Sequence, residues 1–359
     1  MNIDFHYGYI YVIARLAGMP EAEAKVVAHA CQYIDDSTVD GILDFEQGQS
    51  YERFAAAHGM IDYRNMEISK DRVVWTPFHF FPAGEGESLE DRAVCRKNSA
   101  PARKMVAAAL AQGVGKDNAL HRLGVALHVY VDTWAHQGFS GVLSKTNVVH
   151  ELRSEHHAEG TWEAGLKDAL SRALVKFETN FIDMVSKLGH GAALHFPDLP
   201  WARWRYKNGL GQEIERINLP DFVEAADFAC KAIQAFLSGV QDFEGQPGLG
   251  VDQKRALAKI MEENQSEDPD VRLRFVVDAV REGRVPGLAE SIPVYVAKGR
   301  DSWKFVATGI ESATDDGHVK PLWSNRFEES DYRKFHDAVK EHRFHVMQEI
   351  LPHYGIRLA

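Results

Sequence analysis

Cysteine is scarce in this sequence, and there is no surplus of positive charge. Cys31, Cys95 and Cys230 are widely spaced with no CxxC pair, a usage that supports neither a disulfide framework nor a thiolate zinc site and that suits a reducing interior. With 41 Lys+Arg against 52 Asp+Glu, the net charge of -11 removes the global attraction on which sequence-independent binding to nucleic acid or anionic lipid relies. No stable nucleic-acid binding is expected. No apolar run reaches the roughly 18 residues of a membrane span, and the opening MNIDFHYGYIYVIARLAG lacks the basic n-region of a signal peptide. The expected address is the cytoplasm. A Gly-rich phosphate loop, a GxSxG elbow and a Cys-His nucleophile arrangement are also missing.

Helical periodicity dominates what is there. Of 359 residues, 45% are hydrophobic, enough for a sizeable core. Residues 5–17 read as a helix stopped at Gly18, and Pro20 opens a second, EAEAKVVAHACQYIDD. Residues 37–98 are the least helical, with RVVWTPFHFFPAGEGE read as an ordered loop or short extended segment. No proline falls between Pro101 and Pro197, and apolar spacing there predicts helices at 101–113, 117–137 and 160–188. Further helices are expected at about 220–239, 251–264, 270–282, 300–313 and 328–350. There is no repeat and no low-complexity linker. The expectation is a single mainly α-helical domain over 1–359.

Histidine is the unusual component, with 17 copies against 13 prolines. In LHRLGVALHVYVDTWAHQGFSG, His128, Asp132 and His136 are four apart, so on a helix they fall within about 80° of one another. Their neighbours Leu127, Val129, Val131 and Trp134 are apolar, and a buried carboxylate between imidazoles needs compensation. Either a cation or a self-satisfied hydrogen-bond network meets that need. Nitrogen and oxygen donors without thiolate suit zinc, with Mn or Fe behind it.

Other segments add candidates. Asp35 and Asp36 end the second helix about two turns after His29, on the same face, where the helix dipole opposes adjacent carboxylates. His79 sits among Phe78, Phe80, Phe81 and Pro82, and Asp4 and His6 interrupt an apolar-aromatic stretch. His190, His195 and Asp198 lie in HGAALHFPDLPWARWRY, where Arg203, Arg205 and Lys207 alternate with Trp204 and Tyr206. That alternation gives either an amphipathic edge or a site for a phosphate or base. His150, His156 and His157, and on the final helix His336, His342 and His345, lie among charged residues and read as surface or partner-facing.

The order of these motifs, Asp/His near the start, a helix ending in Asp, FHFFP and then a buried HxxxD helix with a further His, resembles the zinc-dependent phospholipase C and single-strand nuclease superfamily over roughly residues 1–200. More closely, DFHYGYIYVIARLAG, QYIDD, LHVYVDTWAHQGFSG and GHGAALHFPDLPWARWRY are similar to phrases of an uncharacterised bacterial family that looks like a cytoplasmic branch of it. The resemblance implies a multi-helix bundle of that superfamily's type, with residues 1–200 as metal-binding core and 201–359 as helical elaboration. It implies one metal held by Asp36 (or Asp35), His79, His128 and Asp132, with Asp132 bridging to a neighbour. A second would take His136 with His190 and Asp198. Secreted relatives place the later histidine six residues after the Asp, beyond a proline, whereas His136 follows by four on an expected continuous helix. Those relatives also use a processed N-terminal Trp; here His6 or Asp4 would take its place.

Two functions follow as expectations. One is a hydrolase using two or three zinc ions, most plausibly a phosphodiesterase or phosphoesterase acting on a small phosphate-containing substrate through metal-activated water. Asp132 and His128 would be its central residues, with Tyr130 or Gln137 orienting ligands. The other is a non-catalytic metal-binding or scaffold protein that keeps the HxxxDxxxH centre for structure.

Overall fold

Apolar residues three and four apart build an N-terminal helical hairpin. A π-helical turn, Asp4–Tyr9, runs directly into α1 (Ile10–Leu16), and Gly18, at a φ of +96°, supplies the reversal. Pro20 then precedes α2 (Glu21–Asp36). These coordinates are a computed structural model that describes residues 1–57, 68–155, 189–312 and 319–358. The helix expected at 160–188, and with it His156 and His157, lies outside the described residues.

A β-hairpin follows, β1 (Gly41–Asp44) against β2 (Ser50–Arg53), with Leu43, Tyr51 and Arg53 turned inward. Next comes α3 (Ile68–Phe78), which takes in WTPF of the segment expected as loop and ends one residue after Pro77. α4 (Ala100–Gly113) starts at a Ser99 cap with Pro101 in its first turn. α5 (Ala119–Ala135) is buried along nearly its whole length, as an all-round apolar helix must be. It packs against α2 and α4 and, from the C-terminal half, against α6 (Asn218–Ser238).

Longer helices of the C-terminal part are α7 (Val251–Glu263), α8 (Pro269–Arg281), α9 (Trp303–Thr308) and α10 (Asp331–Phe344), the last continuing into a π-helical turn, His345–Ile350. The helix expected at 300–313 is cut short at Thr308 by Gly309 in the left-handed conformation, whereas that expected at 328–350 starts at a Ser330 cap and runs on to Ile350. α10 packs on α5, and α8 packs on the turn Asp4–Tyr9. The C-terminal part therefore shares one buried core with the N-terminal part, reaching from Met1 to Ile356.

The expectation of a mainly α bundle is corrected. The fold is helix-rich but mixed α/β, with two small antiparallel sheets among the described residues. The second sheet pairs β3 (Val149–Ser154), β4 (Arg203–Asn208) and β5 (Glu213–Ile217) in that order. Its physical origin is the period-two alternation of RWRYKN: Trp204 and Tyr206 are buried while Arg203 and Arg205 are exposed. Across the strands Arg205 faces Glu215 and Lys207 faces Glu213, so much of the basic edge meets carboxylates of its own sheet.

The histidines of α10 also differ from expectation, because His336 and His342 are buried. His342 Nε2 lies 2.9 Å from the Pro77 carbonyl, and burial pushes its pKa down to about 4. His29, stacked on Trp303 at 3.8 Å, is pushed by burial down to about 3. Both values lie below the unfolded value of 6.5, so stability is full above pH 6.5 and is lost as the pH falls towards 4 and 3. Metal-free protein is expected to lose on the order of 3 kcal/mol through His342 alone by pH 4, read from urea unfolding. An unchanged pH slope in His342→Gln would refute this assignment.

Candidate metal centre

Five segments deliver side chains to one buried cluster. The last turn of α2 presents Asp35, α5 presents His128 and Asp132, and the N-terminal π-helical turn presents His6. His79 follows the end of α3, and His190 and Asp198 come from the 3-10 turns before β4. Among the described residues, three sets have ligand atoms within 4.8 Å of one another: His6–Asp35–His128, His79–His128–Asp132 and His136–His190–Asp198.

Backbone carbonyls decide which ring nitrogen of each histidine is bare. His79 Nε2 donates to Ala56 O (2.9 Å), His128 Nδ1 to Cys31 O (2.8 Å), His136 Nδ1 to His79 O (2.8 Å) and His190 Nδ1 to Leu194 O (3.0 Å). A carbonyl only accepts, so in each neutral ring the other nitrogen turns a lone pair into the cluster. His128 Nε2 thus stands 3.4 Å from His79 Nδ1 and 3.4 Å from Asp132 Oδ2. That carboxylate oxygen is buried and has no hydrogen-bond partner among the described residues.

Lone pairs facing lone pairs at these distances repel unless a cation lies among them. The separations fit one. His79 Nδ1 is 3.8 Å from Asp35 Oδ1 and 3.7 Å from Asp132 Oδ2, and His128 Nε2 is 3.7 Å from Asp35 Oδ1. Tetrahedral coordination with bonds of about 2.0–2.2 Å spaces its donors about 3.3–3.6 Å apart. The residues present could therefore hold a metal ion.

Other positive charge also meets the carboxylates. The Met1 α-amine lies 2.5 Å from Asp132 Oδ1 and 3.1 Å from Asp198 Oδ1. Burial opposes its charging, but Asp132, Asp198 and Asp35 outweigh burial and raise its pKa to about 11. His6 bridges Asp35 Oδ2 (3.1 Å) and Asp132 Oδ1 (3.0 Å); burial opposes its protonation, and Asp132 foremost reverses that and raises its pKa. Burial likewise works against ionising Asp132 and Asp35. The Met1 amine and His6 nevertheless hold Asp132 well below the carboxylate range, and the hydrogen bond to His6 helps to bring Asp35 down to about 2. Burial and the neighbouring His6 depress the His128 pKa, which keeps its ring neutral.

Of the residues read from sequence, His6, Asp35, His79, His128, Asp132, His136, His190 and Asp198 come together. Asp36 does not join them: it accepts from Tyr295 Oη (2.7 Å) and Gln32 Nε2 (3.2 Å). Asp4 is diverted altogether into a buried bidentate pair with Arg272, at 2.9 and 3.0 Å. His195 is exposed. Tyr130 and Gln137 orient no ligand; they donate to Asn98 and Asp221.

One family model, described as a family of unknown function (DUF6765), matches residues 1–350. The chain belongs to that family. No curated protein and no solved structure matches it. The DUF6765 match runs through the C-terminal half, and so does the site. Arg216 of β5, itself buried, donates to the carbonyls of Trp134 (3.0 Å), Ala135 (3.2 Å) and Gln137 (3.1 Å), satisfying the orphan acceptors of the α5 terminus. The helix consequently ends at Ala135, and His136 is its cap rather than part of a continuous helix. In this DUF6765 chain a guanidinium thus secures the helix end. No helix among the described residues is long and apolar enough to cross a membrane.

Proposed function

We propose that this protein is a metal-dependent hydrolase of phosphoric esters, a phosphodiesterase, that works with two or three zinc ions. One observation carries the reading: bare imidazole nitrogens of His79 and His128 converge on the unpartnered Asp132 Oδ2, an arrangement that suits a cation and is costly without one. Asp35, His79, His128 and Asp132 would hold one ion and His136, His190 and Asp198 another, with His6, Asp35 and His128 the remaining set that could take a third. The all-nitrogen-and-oxygen donor set favours zinc. Bound zinc would supply an activated water and charge to stabilise the phosphoryl oxygens.

The chain's own residues do the arranging. Asp132 turns its two oxygens towards different donor sets, Oδ1 to His6 and Oδ2 to His79 and His128, which suits a bridging carboxylate. The carbonyls of Ala56, Cys31, His79 and Leu194 fix the rings. The free, buried cysteines accord with action in the cytoplasm.

Metal analysis of untagged protein together with assays on bis-p-nitrophenyl phosphate, p-nitrophenylphosphorylcholine and single-stranded DNA tests the proposal. At least two equivalents of zinc and chelator-sensitive cleavage of a phosphodiester are expected. Metal-loaded protein inert towards all three would favour a non-catalytic metal-binding or scaffold role, and protein that takes up no metal would defeat both.

A further inference from the structure

The cluster forms the floor of a cleft of about 900 Å³, far more than a phosphoryl group needs. Its opposite wall comes from the C-terminal half. Asp270, Leu273, Arg274, Val277 and Asp278, one face of α8 at helical spacing, line it with residues 292–295 and 297 of the segment that follows. This wall is tied to the metal-bearing turn. Arg272 grips Asp4, a Cβ on Gly8 would come within 2.9 Å of Leu273, Tyr7 Oη donates to Pro293 O (2.7 Å) and Tyr295 Oη to Asp36.

The wall has a distinct chemistry. Leu273, Val277, Ile292 and Val294 give it an apolar stretch, with Val294 81% exposed at the cleft. Arg274 is the one Lys or Arg among the described lining residues. It is exposed and makes no ion pair or hydrogen bond among them. Nearby carboxylates are mostly engaged: Asp278 takes Arg281 at 2.5 Å and Asp36 takes Tyr295. Asp270, one turn before Arg274, is the local competitor.

We propose that Arg274 is a specificity residue and that the substrate is a phosphate ester whose organic part is apolar along its body and ends in a second anionic group. The phosphoryl end would lie on the metal floor, the body along Leu273 and Val277, and the second anion on the Arg274 guanidinium, which matches a carboxylate or phosphate in a bidentate fork. This inference rests on the phosphoester reading above.

Calorimetric titration of the zinc-loaded full chain with three phosphonates separates the two. Methylphosphonate probes the floor alone, phenylphosphonate adds the apolar body and 4-phosphonobenzoate adds the distal carboxylate. Phenylphosphonate is expected to bind about tenfold tighter than methylphosphonate, and 4-phosphonobenzoate about tenfold tighter again. Arg274→Met should remove only the second gain, and Asp270→Asn should keep or enlarge it; both positions are exposed, so neither change should disturb folding. Should 4-phosphonobenzoate bind no tighter than phenylphosphonate, or keep its gain in Arg274→Met, the Arg274 subsite is wrong while the phosphoester reading stands. Should methylphosphonate fail to bind at all, the phosphoester reading falls and the subsite with it.

Discussion

Asp132→Asn is expected to strip the protein to at most one equivalent of zinc and to lower phosphodiester hydrolysis by about a thousandfold or more. The substitution keeps the shape of a wholly buried side chain and removes its charge. As a carboxylate, Asp132 can accept from His6 and the Met1 amine through Oδ1 while Oδ2 faces the bare nitrogens of His79 and His128. An amide cannot serve both sides as anion. Its NH2 turned towards His128 and His79 would donate to their lone pairs and occupy the place of a cation. The His136–His190–Asp198 set does not include Asp132, which is why one equivalent can survive.

The metal-free form adds a second readout. Removing the carboxylate leaves the Met1 ammonium and His6 without their nearest counter-charge, a loss on the order of 3 kcal/mol for buried groups. Zinc should raise the melting temperature of wild type much more than that of Asp132→Asn. A mere hydrogen-bond network would share that loss without zinc, but neither protein would hold zinc and zinc would raise the melting temperature of neither. Elemental analysis and calorimetry with and without zinc decide between them, and full wild-type zinc content in Asp132→Asn would rule out the bridging role.

Local periodicity made part of this site legible. His128, Asp132 and His136 share a stripe because a helix repeats every 3.6 residues, and the apolar neighbours of His79 marked it for burial. What stayed hidden was decided by partners far along the chain. Whether Asp35 or Asp36 enters the cluster depends on Tyr295, which takes Asp36. Asp4 and His6 looked equivalent until Arg272, 268 residues from Asp4, claimed one of them. The end of α5 is set by Arg216, and no spacing within HVYVDTWAHQG announces that. β4 is a different case. Its alternation of Arg203, Trp204, Arg205, Tyr206 and Lys207 was visible, but weighed as charge and aromatic faces rather than as a period of two, so the sheet that covers the His190 and Asp198 side went unread. The buried His336 and His342 show the same limit, since α10 is polar in composition yet packs on α5.

Gly124→Ala should be strongly disruptive although it touches no ligand. A Cβ at this position would lie 2.5 Å from Val27 O, 2.6 Å from Ala30 Cβ and 3.0 Å from Cys31 N. Two of those are backbone atoms of α2 and cannot rotate away, so α2 and α5 must separate. Overpacking costs about 1–3 kcal/mol or more, against a gain of up to about 1 kcal/mol from replacing a helical glycine with alanine. One turn further along α5, His128 donates to the carbonyl of Cys31 (2.8 Å), at the same crossing. Separation would stretch that bond, release the ring and pull His128 Nε2 away from Asp35, which α2 carries. Zinc affinity at the Asp35–His79–His128–Asp132 set should therefore fall more than at His136–His190–Asp198, whose members do not span the crossing. Gly113→Ala in α4 is the control, because a Cβ there meets nothing closer than 3.8 Å and should be neutral or stabilising by about 0.5 kcal/mol. Urea unfolding and zinc titration of the two variants measure the contrast. If Gly124→Ala matched wild type in both, the close approach of α2 and α5 could not be what holds the centre together.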